Sequence, residues 1–149
     1  MKTQLYTLLL VFTLLMGCET AQKTPVAAAA QRADGIANKY WKLVTLAGQP
    51  VKMAPDQERE AYFMLRDSSR VTGFGGCNVL NGSYELRANQ QRLRFTNLLT
   101  TLNACPGPNQ ERDFLDVLNQ TDNYTVQGDT LRLNVGRRAP LVVFHAVYF

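Results

Sequence analysis

The chain has 149 residues, 46% of them hydrophobic and 19% charged, with a formal net charge of +4 from 16 Lys and Arg against 12 Asp and Glu. So mild an excess does not call for nucleic acid as a partner, and the length leaves room for one domain of ordinary size. With one His and three Cys in the whole chain, a transition-metal cluster or a histidine-based catalytic constellation is poorly supplied, so no metal, cofactor or catalytic residue is expected.

Met1 to Gly17 has the pattern of an export signal: Lys2 at the start, an apolar run from Leu8 to Met16, and a small residue before a cysteine. The run is too short to cross a hydrocarbon core of about 30 Å, which takes roughly 20 apolar residues in a helix. Leu15-Met16-Gly17-Cys18 resembles the bacterial lipobox, with Met16 a less usual residue at its place. The resemblance implies that Cys18 receives a diacylglyceryl thioether and becomes the new N-terminus after cleavage. The expected partner is then a membrane, held through lipid on Cys18, with each buried CH₂ contributing about 0.8 kcal/mol. A plain secretory signal cut within Ala27 to Ala30 is the alternative, and it leaves no lipid. Glu19 stands where an Asp would be the familiar inner-membrane retention signal, so the expected location is the outer membrane of a bacterial envelope, on its periplasmic or surface face.

Residues 18–38 are Thr, Ala, Gln, Lys and Pro with almost no large apolar side chain. They cannot bury enough surface to offset their ordering entropy and are expected to form a flexible tether, spanning roughly 25 Å as a coil. Residues 39–149 are expected to form the domain. Period-two alternation marks candidate strands at Tyr40 to Leu46, Ala61 to Arg66, Arg70 to Phe74, Gly82 to Leu86, Arg92 to Thr96, Tyr124 to Gln127, Thr130 to Val135 and Leu141 to Phe149. The last is apolar on both faces, as in a strand covered on both sides. Turn chemistry falls at Asn81-Gly82, at Ala88 to Gln91 and at Gln127-Gly128-Asp129. Asn109 to Gln120 instead reads as a short amphipathic helix. It places Phe114, Leu115 and Leu118 on one stripe and turns Glu111, Arg112, Asp113 and Asp116 away, behind Pro106 and Pro108. The expected class is α+β: a curled, barrel-like antiparallel sheet of about eight strands with one short helix packed against it.

Two segments are more specific than composition. One is Arg70-Val71-Thr72-Gly73-Phe74-Gly75-Gly76-Cys77-Asn78, followed by Asn81-Gly82-Ser83-Tyr84; the other is Thr100-Thr101-Leu102-Asn103-Ala104-Cys105-Pro106, followed by Glu111 and Phe114. With the Trp41-containing opening Tyr40 to Leu43, and with Leu131 and Leu133 ahead of Leu141 to Phe144, this order resembles the META domain of the heat-shock protein HslJ family. The matching positions are Trp41, Gly76, Cys77, Asn78, Gly82, Tyr84, Thr100, Thr101, Ala104, Cys105, Glu111 and Phe114. Asn103 stands where many members have Met. The resemblance implies a β-rich fold, envelope or secreted placement and links to stress response, without an established reaction.

Cys77 and Cys105 are the cysteines that remain once Cys18 is modified, and an exported chain matures in an oxidising compartment, so a disulfide between them is expected. It would close a loop of about 29 residues and contribute about 3.6 kcal/mol; two buried free thiols are the alternative. Gly73, Gly75 and Gly76 suit a tight bend, and no Gly-Lys-Ser or Gly-Lys-Thr follows them to make a phosphate loop. His145, inside an apolar strand, reads as a core or edge residue. Arg92, Arg94 and Arg132 alternate with apolar neighbours and read as the wet face of the sheet, where a basic stripe could meet anionic lipid or polymer. Phe63, Leu65, Tyr84, Leu93, Phe95 and Phe144 either form core or line an apolar cavity. The expected role is a non-enzymatic binding or envelope-stress support module with an envelope protein as partner. The alternative is a carrier, like the pilot lipoproteins of outer-membrane secretins, that holds a hydrophobic ligand or an amphipathic peptide.

Overall fold

The computed structural model describes residues 35–55, 57–104 and 110–149. Among these residues the strands are β1 (Tyr40–Leu46), β2 (Gln49–Pro50), β3 (Tyr62–Arg66), β4 (Arg70–Phe74), β5 (Val79–Arg87), β6 (Arg92–Thr100), β7 (Asn123–Gln127), β8 (Thr130–Asn134) and β9 (Val142–Val147), with an α-helix, α1 (Gln110–Gln120), before β7. They form one antiparallel sheet in the order β6-β5-β4-β3-β1-β9-β8-β7, with β2 paired to β1. Two meanders, β3 to β6 and β7 to β9, flank β1. The two end strands approach each other: the Tyr124 N–H donates to the Gln91 carbonyl at 3.0 Å. The sheet is thus curled towards closure, in the α+β class that the sequence pattern predicts.

Alternation places the inward residues. Trp41, Phe63, Leu65, Leu93, Leu131, Leu133 and Phe144 are fully buried and form one core with Phe114, Val117 and Leu118 of α1. Phe63 meets Phe95 edge-on at 5.6 Å and Phe144 edge-on at 4.8 Å, and Phe114 lies 6.0 Å from Phe144. The side chains that could have lined a cavity are therefore packed on one another. The helical stripe differs from the predicted one in that Val117 is buried and Leu115 only half-buried.

Where the structure departs from the sequence pattern, a backbone irregularity explains it. Strands β5 and β6 run longer than the alternation predicts. Their register shifts between Asn81 and Ser83, opposite Leu99 and Thr96, with Asn97 at φ 52°. The extra residue of this bulge inverts the inward and outward positions beyond it, so alternation stops being legible at Thr96. Asn81-Gly82 is not a turn but part of this ladder, and the β4–β5 loop is residues 75–78. Gly82 is required because a Cβ there would lie 2.8 Å from Leu98 Cδ2 and 3.1 Å from the carbonyl oxygens of Thr96 and Asn97. Strand β2, polar and closed by Pro50, carries no alternation to detect. Strand β9 is covered on one side only, since His145 is exposed and Val143 half-buried; its apolar outer residues do not imply a second layer.

The folded domain also begins before Lys39. Ile36 is 1% exposed, Ala37 bridges to Leu65, the Asn38 N–H donates to the Leu65 carbonyl at 2.7 Å, and Trp41 Nε1 donates to the Ile36 carbonyl at 2.8 Å. The indole needs that acceptor once it is buried. The export signal, Cys18 and most of the tether lie outside the described residues.

Candidate functional site

The family-like motif converges on Asn78, in the loop between β4 and β5. Its backbone N–H donates to Glu111 Oε2 at 2.6 Å, and its side-chain Nδ2 donates to Glu111 Oε1 at 2.9 Å and to the Asn103 carbonyl at 3.3 Å. Its Oδ1 accepts from Thr101 Oγ1 at 2.7 Å and from the Asn103 N–H at 2.8 Å. Thr101 Oγ1 in turn accepts from the Val79 N–H at 3.2 Å. One 4%-exposed amide thereby ties three chain segments together: the β4–β5 loop, the segment leaving β6, and the first turn of α1. Satisfying a buried amide on both its donor and acceptor sides is what makes such a tie strong.

The glycines make room for it. A Cβ on Gly75 would lie 2.6 Å from Glu111 Cγ and 2.8 Å from its Oε2, and Gly76 has φ +112°, a conformation that L side chains rarely adopt. The Gly75 N–H donates to the Asn78 carbonyl at 2.9 Å and closes the loop. Glu111 does not face away from the domain, as a helical wheel predicts. It sits in the first turn, where side chains reach back past the helix end, and carboxylates are favoured there by the free N–H groups of the helix N-terminus.

Of the predicted positions, the structure brings Gly76, Cys77, Asn78, Thr101 and Glu111 together. Cys77 Sγ lies 4.0 Å from the Asn103 carbonyl oxygen; Cys105 lies outside the described residues. Asn103 itself takes part through its backbone N–H and C=O, groups that any residue but proline supplies. Ala104 is exposed and Thr100 half-buried opposite Leu80. Trp41 and Phe114 belong to the core, and Tyr84 is nearly buried with its hydroxyl donating to the Arg66 carbonyl at 3.0 Å. Burial, followed by the Asp67 charge, raises the Tyr84 phenol above its usual range. His145 is exposed on the outer face of the sheet, opposite Lys42 and Thr130.

Sequence reasoning did not identify a second polar tie beyond α1. Asp122 Oδ1 accepts from the Gly136 N–H at 2.9 Å and from Asn123 Nδ2 at 2.6 Å, and buried Asn134 donates to Asn123 Oδ1 at 3.1 Å. The Gly136 N–H is the main reason that the Asp122 carboxyl lies below its usual range, with Asn123, Arg92 and Arg94 adding to the effect against the cost of burial. Alternation gives no signal for this tie, because Asn134 follows Thr130 and Arg132 in the outward register of β8 and is nonetheless buried; a buried amide demands a partner. Among the described residues no group of three or more His, Cys, Asp or Glu could hold a metal ion, and no helix is long and apolar enough to cross a membrane.

A family model described as the META domain matches residues 34–148. Among solved structures, an NMR structure of a protein from Burkholderia xenovorans is similar at 25% identity and TM-score 0.59, covering 83% of this chain and 88% of that one. The crystal structure of a DUF4847 family protein from Bacteroides vulgatus ATCC 8482 shares the fold at 13% identity and TM-score 0.56, covering 78% and 96% respectively. No curated protein matches the chain. The matched segment takes in the whole curled sheet, its helix and the Asn78 tie, and the chain belongs to the META domain family.

Proposed function

We propose that this protein is a membrane-anchored envelope lipoprotein whose META domain is a binding or envelope-stress support module and catalyses no reaction. The observation that carries this reading is the Asn78 tie: the most family-specific polar atoms, those of Asn78, Thr101 and Glu111, face one another. A catalytic constellation directs such atoms at a reacting group. Lipid on Cys18 and the residues after it hold the domain at the outer membrane. A Cys77–Cys105 disulfide braces the tie from the side, supported by the approach of Cys77 Sγ to Asn103, two residues before Cys105.

The test is fractionation of cells that express the full chain, together with intact-mass measurement. The expected result is an acylated protein in the outer-membrane fraction, and Cys18→Ala protein that carries no acyl mass and leaves the membrane. An unmodified wild-type protein in the soluble fraction overturns the anchor. Native mass spectrometry of the purified protein then addresses the role. A co-purifying protein supports the module, whereas an apolar adduct lost on denaturation supports the carrier alternative, for which the packed ring contacts of the core leave little room.

A further inference from the structure

We propose that the outer face of the β5–β6 hairpin binds a phosphate group. Glu85, Arg87, Arg92 and Arg94 alternate with inward-facing Tyr84, Leu86, Leu93 and Phe95 and so share the outer face. Ladder register sets Arg87 directly opposite Arg92, and Glu85 opposite Arg94. Together with Gln90 from the connecting 3₁₀ turn (Ala88–Gln90), these side chains line a cleft of about 190 Å³.

Two features set this cleft apart from an ordinary solvated sheet face. Like charges directly opposite each other on an antiparallel pair destabilise the pair, yet Arg87 and Arg92 occupy such a site; a local cost of this kind is expected where a ligand supplies the missing charge. In addition, Arg92 is held by Asp122 at 3.6 Å, whereas among the described residues Arg87 and Arg94 make no ion pair, even though Glu85 stands across from Arg94. Three guanidinium groups thus stand against two carboxylates, Glu85 in the cleft and Asp122 beside it, which leaves one positive charge in excess. Guanidinium forks match phosphate oxygens two at a time, and forks presented from two neighbouring strands suit a tetrahedral group better than a planar carboxylate. The ligand is a phosphate monoester, either soluble or carried as a lipid headgroup.

The experiment is NMR of ¹⁵N-labelled arginine side chains in the full chain, held in neutral detergent micelles and titrated with inorganic phosphate. Saturable shifts at Arg87 and Arg94 are expected, weakened about tenfold by Arg94→Gln, as loss of one charge-assisted contact implies, and unchanged by Arg137→Gln in an exposed loop. Arg94→Lys keeps the charge without the fork and should recover part of the loss. Lysophosphatidic acid in the micelles separates the two sources: displacement of phosphate by the lipid assigns the site to a headgroup, and phosphate binding without displacement assigns it to a soluble ester. Shifts that do not saturate, or that are as large at Arg137 and Arg138 as in the cleft, overturn the proposal.

Discussion

Replacing Asn78 by Ala removes a side chain that donates to Glu111 and to the Asn103 carbonyl, and accepts from Thr101 and from the Asn103 N–H. The bond to the Glu111 carboxyl is the strong one, at about 2 kcal/mol, and each neutral bond contributes about 1 kcal/mol. Water can reach the exposed Thr101 and Asn103 once the amide is gone, which offsets part of the loss. The expected net cost is about 3 kcal/mol, or a midpoint lower by about 12 °C for a domain of this size. Trp41, the one tryptophan in the chain and fully buried, reports unfolding in urea by its fluorescence. Asn78→Asp keeps the shape but puts a carboxyl oxygen where Nδ2 now sits 2.9 Å from Glu111 Oε1. It should cost more than the Ala variant at pH 7 and recover as acid protonates the paired carboxyls. An Ala variant within 1 kcal/mol of wild type, or an Asp variant as stable as wild type at pH 7, would refute the account of the motif as a structural tie.

Phe114→Ala should cost about 4 kcal/mol in the same urea experiment, because the ring is fully buried and its loss leaves a cavity beside Phe144; a cost below 1 kcal/mol would show that α1 is not part of the core. Asp122 has a depressed folded-state pKa, caused first by the Gly136 N–H. Its contribution to stability is therefore complete above about pH 4 and is lost as pH falls through the lower folded value. Stability curves should show Asp122→Asn converging on wild type at low pH, and a gap that stays constant with pH contradicts this reading. Reduction with dithiothreitol should lower stability by about 3.6 kcal/mol through release of the Cys77–Cys105 loop. Alkylation of the unreduced, denatured chain should add no label at either residue, and labels at both would disprove the bridge.

Much of the architecture is legible in the residues themselves. The strands at Tyr40 to Leu46 and Arg70 to Phe74 have the predicted bounds, and the one predicted at Thr130 to Val135 ends one residue earlier. Alternation places Trp41, Leu43, Val71, Leu131 and Leu133 inward, whereas Leu46, beyond a register shift, and Phe74 and Asn134 are buried out of phase. The helix is legible because Phe114 and Leu118 recur at helical spacing. The motif positions around Asn78 and Glu111 are also visible, but their roles are not. Spacing along a chain does not show that residues 33 apart share hydrogen bonds, and a helical wheel turns Glu111 outward because it ignores the chain packed against the helix end.

Other features depend on what lies across the sheet. The bulge at Asn97 hides the true length of β5 and β6, since a backbone kink is fixed by the partner strand. Ile36 joins the domain through the Trp41 indole, a contact without local signature. Arg92 and Arg94 read singly as wet-face residues, and only pairing in register, which sets Arg87 opposite Arg92, turns them into a cleft with one positive charge in excess of Glu85 and Asp122. Periodicity records whether a position faces apolar or polar surroundings. The identity of its neighbours is decided by the closing of the sheet, where groups distant in sequence come within hydrogen-bonding range.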